Sequence, residues 1–454
     1  MKTILLSLFA GIFITLTAGA QQAAVHPPDT LRMSVQQARA YALEHKTDVK
    51  NKRLDAESAK RQSQAYMGQG LPQLDATIDF NDYLTLPTSL IPAEFFGGEP
   101  GTFIPVKFGT QYNMNIGATA SQLIFDGRYF LGLRAAKALE EQAILNVTSG
   151  EIDAVETVLK SYLSALIASE RLEQLDANID RLFKTYGDTK ALYEAGFAEK
   201  VDVDRISVSY NNLLTERDNV RNQIALSYYM LKYNMGMNAN DILILTDSIR
   251  EDNFAAVLSE AGAADPNNRI EYQQLLTGHA LAEMNIKQYK LEYLPTLYGF
   301  AGLSYAAQRE EFNFFNDDAW YNTTTIGFRL NIPIFDGLVK ARNIQQAKLG
   351  LQKNDNNIID FQNAMILQVS NAKTQLTNAI ASLNTQRSNL DLANEVVNIS
   401  KKKFDAGVGS SLEVTDAESS LRSSQVNYLD ALYSAWIAKI DLQKALGTLN
   451  QSPQ

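Results

Sequence analysis

Carboxylates are the most abundant ionisable side chains in this sequence of 454 residues, with 51 Asp+Glu against 41 Lys+Arg, a formal charge of −10 and only three His (His26, His45 and His279). There is no Cys, which removes a thiol nucleophile, a zinc ribbon, an iron–sulfur centre, a disulfide framework and a lipid-modified N-terminal cysteine. Three scattered histidines leave little for a metal site or a triad. Carboxylate pairs such as Asp202/Asp204 and Glu310/Glu311 have the composition of acid–base dyads, but loop acids at this density are ordinarily solvated. No GxSxG, HExxH or P-loop pattern occurs, and GxG is found only as Gly68-x-Gly70 and Gly407-x-Gly409, both at turns. The chain is therefore expected to be no enzyme and to hold no cofactor or metal. An acidic chain also has nothing to offset phosphate repulsion, so no nucleic-acid partner is expected. The acids that stand out are Asp202 in AGFAEKVD and Glu413 and Asp416 in AGVGSSLEVTD. Acids there suit the first turn of a helix, where they oppose the macrodipole.

Something must place those turns. Lys2, an apolar run over 4–17 and Ala18-Gly19-Ala20 form a secretory leader over 1–20, so the chain is exported. No later run nears 18 apolar residues, and any later membrane crossing must be made by strands. Beyond the leader, residues 115–127 (NIGATASQLIFDG) and 325–337 (TIGFRLNIPIFDG) correspond, as do AGFAEKVDVD at 195–204 and AGVGSSLEVT at 406–415. Leu71-Pro72 and Leu294-Pro295 mark a third match in the same order, so the architecture is read as duplicated. Each half runs from a helix to Leu-Pro, through two strands flanking a loop, into a very long helix. Leu74, Ala76, Ile78 and Phe80 alternate with polar residues, as do Tyr112, Met114, Ile116, Ala118 and Ala120, and later Ile326, Phe328, Leu330 and Ile332. The fourth stretch, 297–306, is apolar at both parities. Strands of this length and period suit a bilayer, with Tyr83, Tyr112 and Phe328 as lipid-facing aromatics and long loops over 84–108 and 308–320.

The segments 129–195 and 338–406 lack proline, which permits helices of about 100 Å each. Val369, Leu376, Leu383, Leu390 and Val397 keep a seven-residue spacing with Ala372, Ala379 and Ala393 as small companions, and Leu145, Ile152, Leu159 and Leu166 do the same in the first half. Sustained heptads predict coiled-coil packing. Helices that long must stand in an aqueous compartment. Four strands cannot close a barrel, and an open edge in lipid leaves backbone groups unsatisfied, so copies must pool strands. Residues alone leave two copies or three open.

The opening LRMSVQQARAYALEHKTDVKNKRLDAESAKRQSQAYMGQGLPQLDATIDF, the two IFDG junctions, AGVGSSLEVTDAESSL and KALGTLNQ resemble, in that order, the TolC-like outer membrane efflux proteins. The resemblance implies a mainly α fold with β: a trimeric twelve-stranded transmembrane barrel, four strands per chain, continued by an α-helical coiled-coil tunnel through the periplasm. After the leader over 1–20, it implies one channel domain over 21–454, in which the two repeats fall at about 34–236 and 268–449, with an equatorial segment around 237–267. The partners implied are two further copies of the chain, a periplasmic adaptor, an inner-membrane efflux pump or secretion transporter, and outer membrane lipid. By the same resemblance Ala195, Gly196, Phe197, Ala406, Gly407 and Val408 form adaptor-docking turns. Asp202, Glu413, Asp416 and Phe404 form a periplasmic gate, its acids repeated as rings around a constriction. Gly409 and Phe404 stand where the best-known members carry an Arg and a Tyr. The competing reading is a periplasmic coiled-coil scaffold without a pore, which explains the heptads and leaves the alternating strands unexplained.

Overall fold

A computed structural model describes residues 30–316 and 318–449; the leader expected over 1–20 lies outside the described residues. The chain opens with strand β1 (Thr30–Met33), and Ser34 then caps helix α1 (Val35–His45) in a reciprocal Ser34–Gln37 capping box. Helix α2 (Thr47–Gly68) leads into β2 (Gln73–Asp82), a short hairpin of β3 (Thr88–Pro92) and β4 (Phe103–Lys107), and β5 (Tyr112–Phe125). Helix α3 (Gly127–Glu194) has 68 residues, about 100 Å, and α4 (Lys200–Met235) returns with 36. The segment expected at the equator holds β6 (Ile242–Leu245) and the short α5 (Phe254–Glu260). The second half follows the same order: α6 (Ile270–Leu291), β7 (Thr296–Arg309), β8 (Tyr321–Asn331), α7 (Val339–Asp405) and α8 (Ser411–Leu446). Among the described residues no helix is long and apolar enough to cross a membrane.

One antiparallel sheet has the order β2-β5-β7-β8. Directly opposed residues share a face, and the register sorts every strand. Leu74, Ile78 and Phe80 lie opposite Ala120, Ile116 and Met114; these lie opposite Ala301, Tyr305 and Ala307; and Ile326, Phe328 and Leu330 join the same face through Ala301, Gly299 and Leu297. The other face carries Asp75, Thr77, Asn115, Thr119, Ser304 and Thr325. The stretch 297–306, ambiguous in sequence, has Tyr298 and Phe300 on the polar face, and Arg329 stacks on Phe300 with 5.8 Å to the ring centre. Tyr83 departs from expectation: it falls just past β2 and lines a groove with Asn81, Asn113 and Asn115 of the polar face.

Helices pair as two long hairpins, α3 with α4 and α7 with α8, while α2 and α6 pack beside the upper part of α3. In the second hairpin Val369, Ala372, Leu376, Leu383 and Val397 are buried, as the heptad predicts, whereas Leu390 is half-buried. In the first half Leu145, Ile152, Leu159 and Leu166 are all half-buried. The buried stripe there is Val155, Val158, Tyr162 and Ala165, because α3 meets α1, α2, α6 and α8 besides α4, and several partners demand a face other than a single seam. Nearer its far end α3 contributes Leu175, Ile179 and Leu182 against Ile206, Leu213 and Val220 of α4. Midway, β1 pairs in parallel with β6, Thr30 opposite Ile242, and the hydroxyl of Tyr162 lies 3.0 Å from both Met33 O and Asp247 Oδ2. Charges also join α3 to α8: Lys160 Nζ reaches Glu156 and Asp441 at 2.7 and 2.6 Å, and Lys444 Nζ reaches Glu156 and Asp153 at 2.6 and 2.8 Å. Burial disfavours the Glu156 carboxylate, yet the two ammonium groups outweigh it and hold its carboxyl below the ordinary range.

Candidate functional site

The two hairpin turns lie at the end of the molecule remote from the sheet and are built alike. Ala195 ends α3; Gly196 N–H donates to Tyr193 O at 2.9 Å and Phe197 N–H to Leu192 O at 2.8 Å. Ala406 ends α7; Gly407 N–H donates to Phe404 O at 2.9 Å and Val408 N–H to Lys403 O at 3.0 Å. Both are Schellman closures, which need a left-handed residue, and Gly196 (φ 83°) and Gly407 (φ 75°) supply it. No atom lies within 4 Å of a Cβ added at either glycine. Phe197 and Val408 follow, 83% and 79% exposed; the apolar residue of this motif commonly packs back on its own helix, and here it stands in solvent. The glycines closing α4 and α8 contrast sharply: a Cβ at Gly236 would meet His45 O at 2.6 Å, and one at Gly447 would meet Asn268 O at 2.2 Å.

The three acids are not equivalent. Asp202, half-buried in the first turn of α4, accepts from Glu199 N–H at 3.3 Å and from the hydroxyl of Ser411, which crosses from α8. Arg205 Nη1 stands 3.7 Å from Asp202 Oδ1 and 3.5 Å from Ser411 Oγ. Glu413 is exposed in the first turn of α8, its N–H donating to Ser410 Oγ at 3.2 Å. Asp416 is exposed and lines a polar groove of about 170 Å³ with Asn178, Ser209, Glu418 and Arg422. Phe404 is half-buried. Gly409 has no space for a side chain without a shift, since its Cβ would lie 2.9 Å from Lys403 Cβ and from Phe404 N. Sequence reasoning missed the polar ties that hold the first hairpin to α8: Ser411 to Asp202, Asn178 Nδ2 to Gln425 Oε1 at 2.7 Å, and Arg181 Nε to Glu418 Oε1 at 3.5 Å. Each joins residues from opposite halves, and no local pattern announces such a partner.

At the other end, the apolar face of the sheet is open, with Leu74 at 78%, Ile326 at 84% and Phe328 at 74% exposure. Its outer strands β2 and β8 each have one neighbour in the sheet.

A four-stranded sheet carried on two long helical hairpins is a fold shared with solved outer membrane channels. Over 93% of this chain and 95% of the other, the fold is similar to that of CusC, with a TM-score of 0.71 and 16% identity. It is similar to VceC of Vibrio cholerae over 91% and 96%, with a TM-score of 0.69 and 14% identity. The model of the outer membrane efflux protein family matches residues 38–236 and 267–448, and the chain belongs to that family. Relatives include outer membrane protein TolC of Salmonella enteritidis, 21% identical over 341 residues, covering 73% of this chain and 68% of that protein. Another is the alkaline protease secretion protein AprF of Pseudomonas aeruginosa, 22% identical over 304 residues, 65% of this chain and 61% of its own length.

Proposed function

We propose that three copies of this chain form an exit duct: a twelve-stranded barrel in the outer membrane continued by a helical tunnel through the periplasm. The observation that carries it is the sheet, apolar and exposed on one face, polar on the other, with open edges at β2 and β8. In lipid those edges leave N–H and C=O groups unsatisfied, so β2 of one copy pairs with β8 of the next, and a closed ring needs cyclic symmetry. Twelve strands enclose a water-filled lumen, lined here by Asp75, Thr77, Asn115 and Thr325. A scaffold in the periplasm would leave the apolar face in water.

The duct conducts passively. An inner-membrane pump or secretion transporter and a periplasmic adaptor deliver the cargo, a reading supported by relatives named for protease secretion. The adaptor docks at 195–197 and 406–408, where Phe197 and Val408 offer apolar contacts on uncluttered turns. The two halves are repeats of one unit, and the acids near the turns form the gate, with Asp202 tied by Ser411 and Asp416 free to act on ions. Mass measurement in mild detergent gives three mature chains on this reading. A stable folded monomer, or release of the protein by osmotic shock, overturns it.

A further inference from the structure

The loop between β7 and β8 does not rise off the end of the sheet. Phe312 and Phe314 meet the Phe80 ring edge-on at 5.6 and 5.9 Å, Phe312 also meets Tyr112 at 6.1 Å, and Phe314 meets Trp320 at 6.3 Å. Register fixes the face involved. Phe80 lies opposite Met114, and Tyr112 lies between Asp82 and Arg309, so both rings belong to the apolar face. From β7 the loop therefore reaches across that face to β2. Arg309 Nη2 donates to Ala319 O at 2.8 Å and draws the two ends of the loop together.

This placement divides the aromatics. Phe314 is 4% exposed and serves as the loop's own core, whereas Phe312 and Phe315 stand 57% and 76% exposed with their rings 6.3 Å apart. A lid on the pore would bring such rings to Asn81, Asn113, Asn115 and Gln308. Those residues are instead approached by Leu86, Pro87 and Phe108 at the base of the β3–β4 hairpin. The Asp82–Tyr112–Arg309 row also marks where the apolar face gives way to charge, at the end of the sheet remote from the helices. Exposed rings against the last apolar row sit at the height where aromatic girdles of barrels meet the membrane boundary.

We propose that residues 310–316 and 318–320 of this loop form a lipid-inserting strap: Phe314 fastens the loop to the outer wall, and Phe312 and Phe315 enter the hydrocarbon of the outer leaflet beside Ile78 and Phe80. The occupant follows from continuity with the apolar face, so the inference rests on the barrel reading above. The strap fixes the depth of the barrel rim in the membrane and leaves the pore mouth to the other loop.

The absence of Cys permits the test on the full chain. Single cysteines replace Phe312 or Phe315, with Ile326 and Thr325 as references for the apolar and polar faces, and each carries a nitroxide in trimers reconstituted into phospholipid vesicles. Collision with oxygen, which concentrates in lipid, is compared with collision with a water-soluble nickel chelate. The expected result is an oxygen-to-nickel ratio at 312 and 315 close to that at 326 and severalfold above that at 325. If 326 and 325 do not differ, the barrel reading fails and takes the strap with it. If they differ while 312 and 315 follow 325, or are shielded from both reagents as in a subunit contact, the strap alone is overturned. In a Phe314→Ser background the label at 315 should become nickel-accessible while 326 is unchanged; an unchanged 315 would show that Phe314 does not fasten the loop.

Discussion

Asp126 and Asp336 occupy matching IFDG junctions and solve the start of a long helix differently. Asp126 accepts from Arg128 N–H at 2.8 Å and from its guanidinium at 2.7 Å, and α3 begins at once. Asp336 caps through Leu338 and Lys340 N–H, with Gly337 and Leu338 both left-handed; Leu338 is the one non-glycine residue with positive φ among those described. Replacing Leu338 by Gly should therefore stabilise rather than weaken, by about 1 kcal/mol, visible as a higher melting midpoint in detergent. The hydrogen bonds from Arg128 outweigh burial and hold the Asp126 carboxyl below its ordinary range. A lowered folded pKa gives stability that is present above the unfolded value, near 4, and lost as pH falls through the folded one. Asp126→Asn should cost about 1–2 kcal/mol at neutral pH, and its melting midpoint should fall less steeply than the parent's below roughly pH 4. Equal slopes would remove Asp126 as the source. At the proposed gate, Asp416→Asn should weaken cation selectivity in planar bilayers at low salt more than Asp202→Asn, since Ser411 and Arg205 already engage Asp202. Salt near 1 M, with a Debye length of roughly 3 Å, should mask both effects. Absent effects at low salt would return both acids to the role of helix-terminal charge, and equal losses would mean that the Ser411 and Arg205 contacts do not spare Asp202.

The long helices and three of the sheet strands are legible because their periods are uninterrupted. The expected helices 129–195 and 338–406 fall within a residue or two of α3 and α7, and alternation at 74–80 fixes both the strand and its face. What escapes is whatever depends on a distant partner. The pairing of β1 with β6, the Ser411–Asp202 tie and the aromatic strap each join segments that no window spans. The β3–β4 hairpin hides in a Gly- and Pro-rich loop, although Leu90-Ile91 and Phe103-Ile104 offered a weak signal. On α4, the seven-residue series Ile206, Leu213 and Val220 could have been found by the count that found Val369 to Val397. The α7–α8 seam supplies its own test. Leu376, fully buried, should cost about 2–5 kcal/mol when cut to Ala, whereas half-buried Leu390 should cost clearly less. Helix melting by circular dichroism reads both, and equal costs would mean that the seam is buried along its whole length by a neighbouring copy.

For the whole molecule, the contrast among the four closing glycines decides where change is tolerated. Gly407→Val should strain the turn by roughly 1 kcal/mol or more without a clash, so insertion and trimer mass should persist while export and cross-linking to the adaptor fall. Normal export would sink the docking assignment. Gly447→Val should instead impair folding itself, read as loss of the trimer band, because the added atoms collide with Asn268. The pairing of β1 with β6 has a consequence for biosynthesis. On the proposed outer membrane reading, a chain made and exported N-terminus first would deliver β1 to the periplasm roughly 200 residues before the strand that completes it. Through that interval β1 is an unpaired template for any passing strand, and β5 waits comparably long for β7. The order of synthesis thus opposes the order of closure, and a holding chaperone is needed most while the first half is out and the second is still to come.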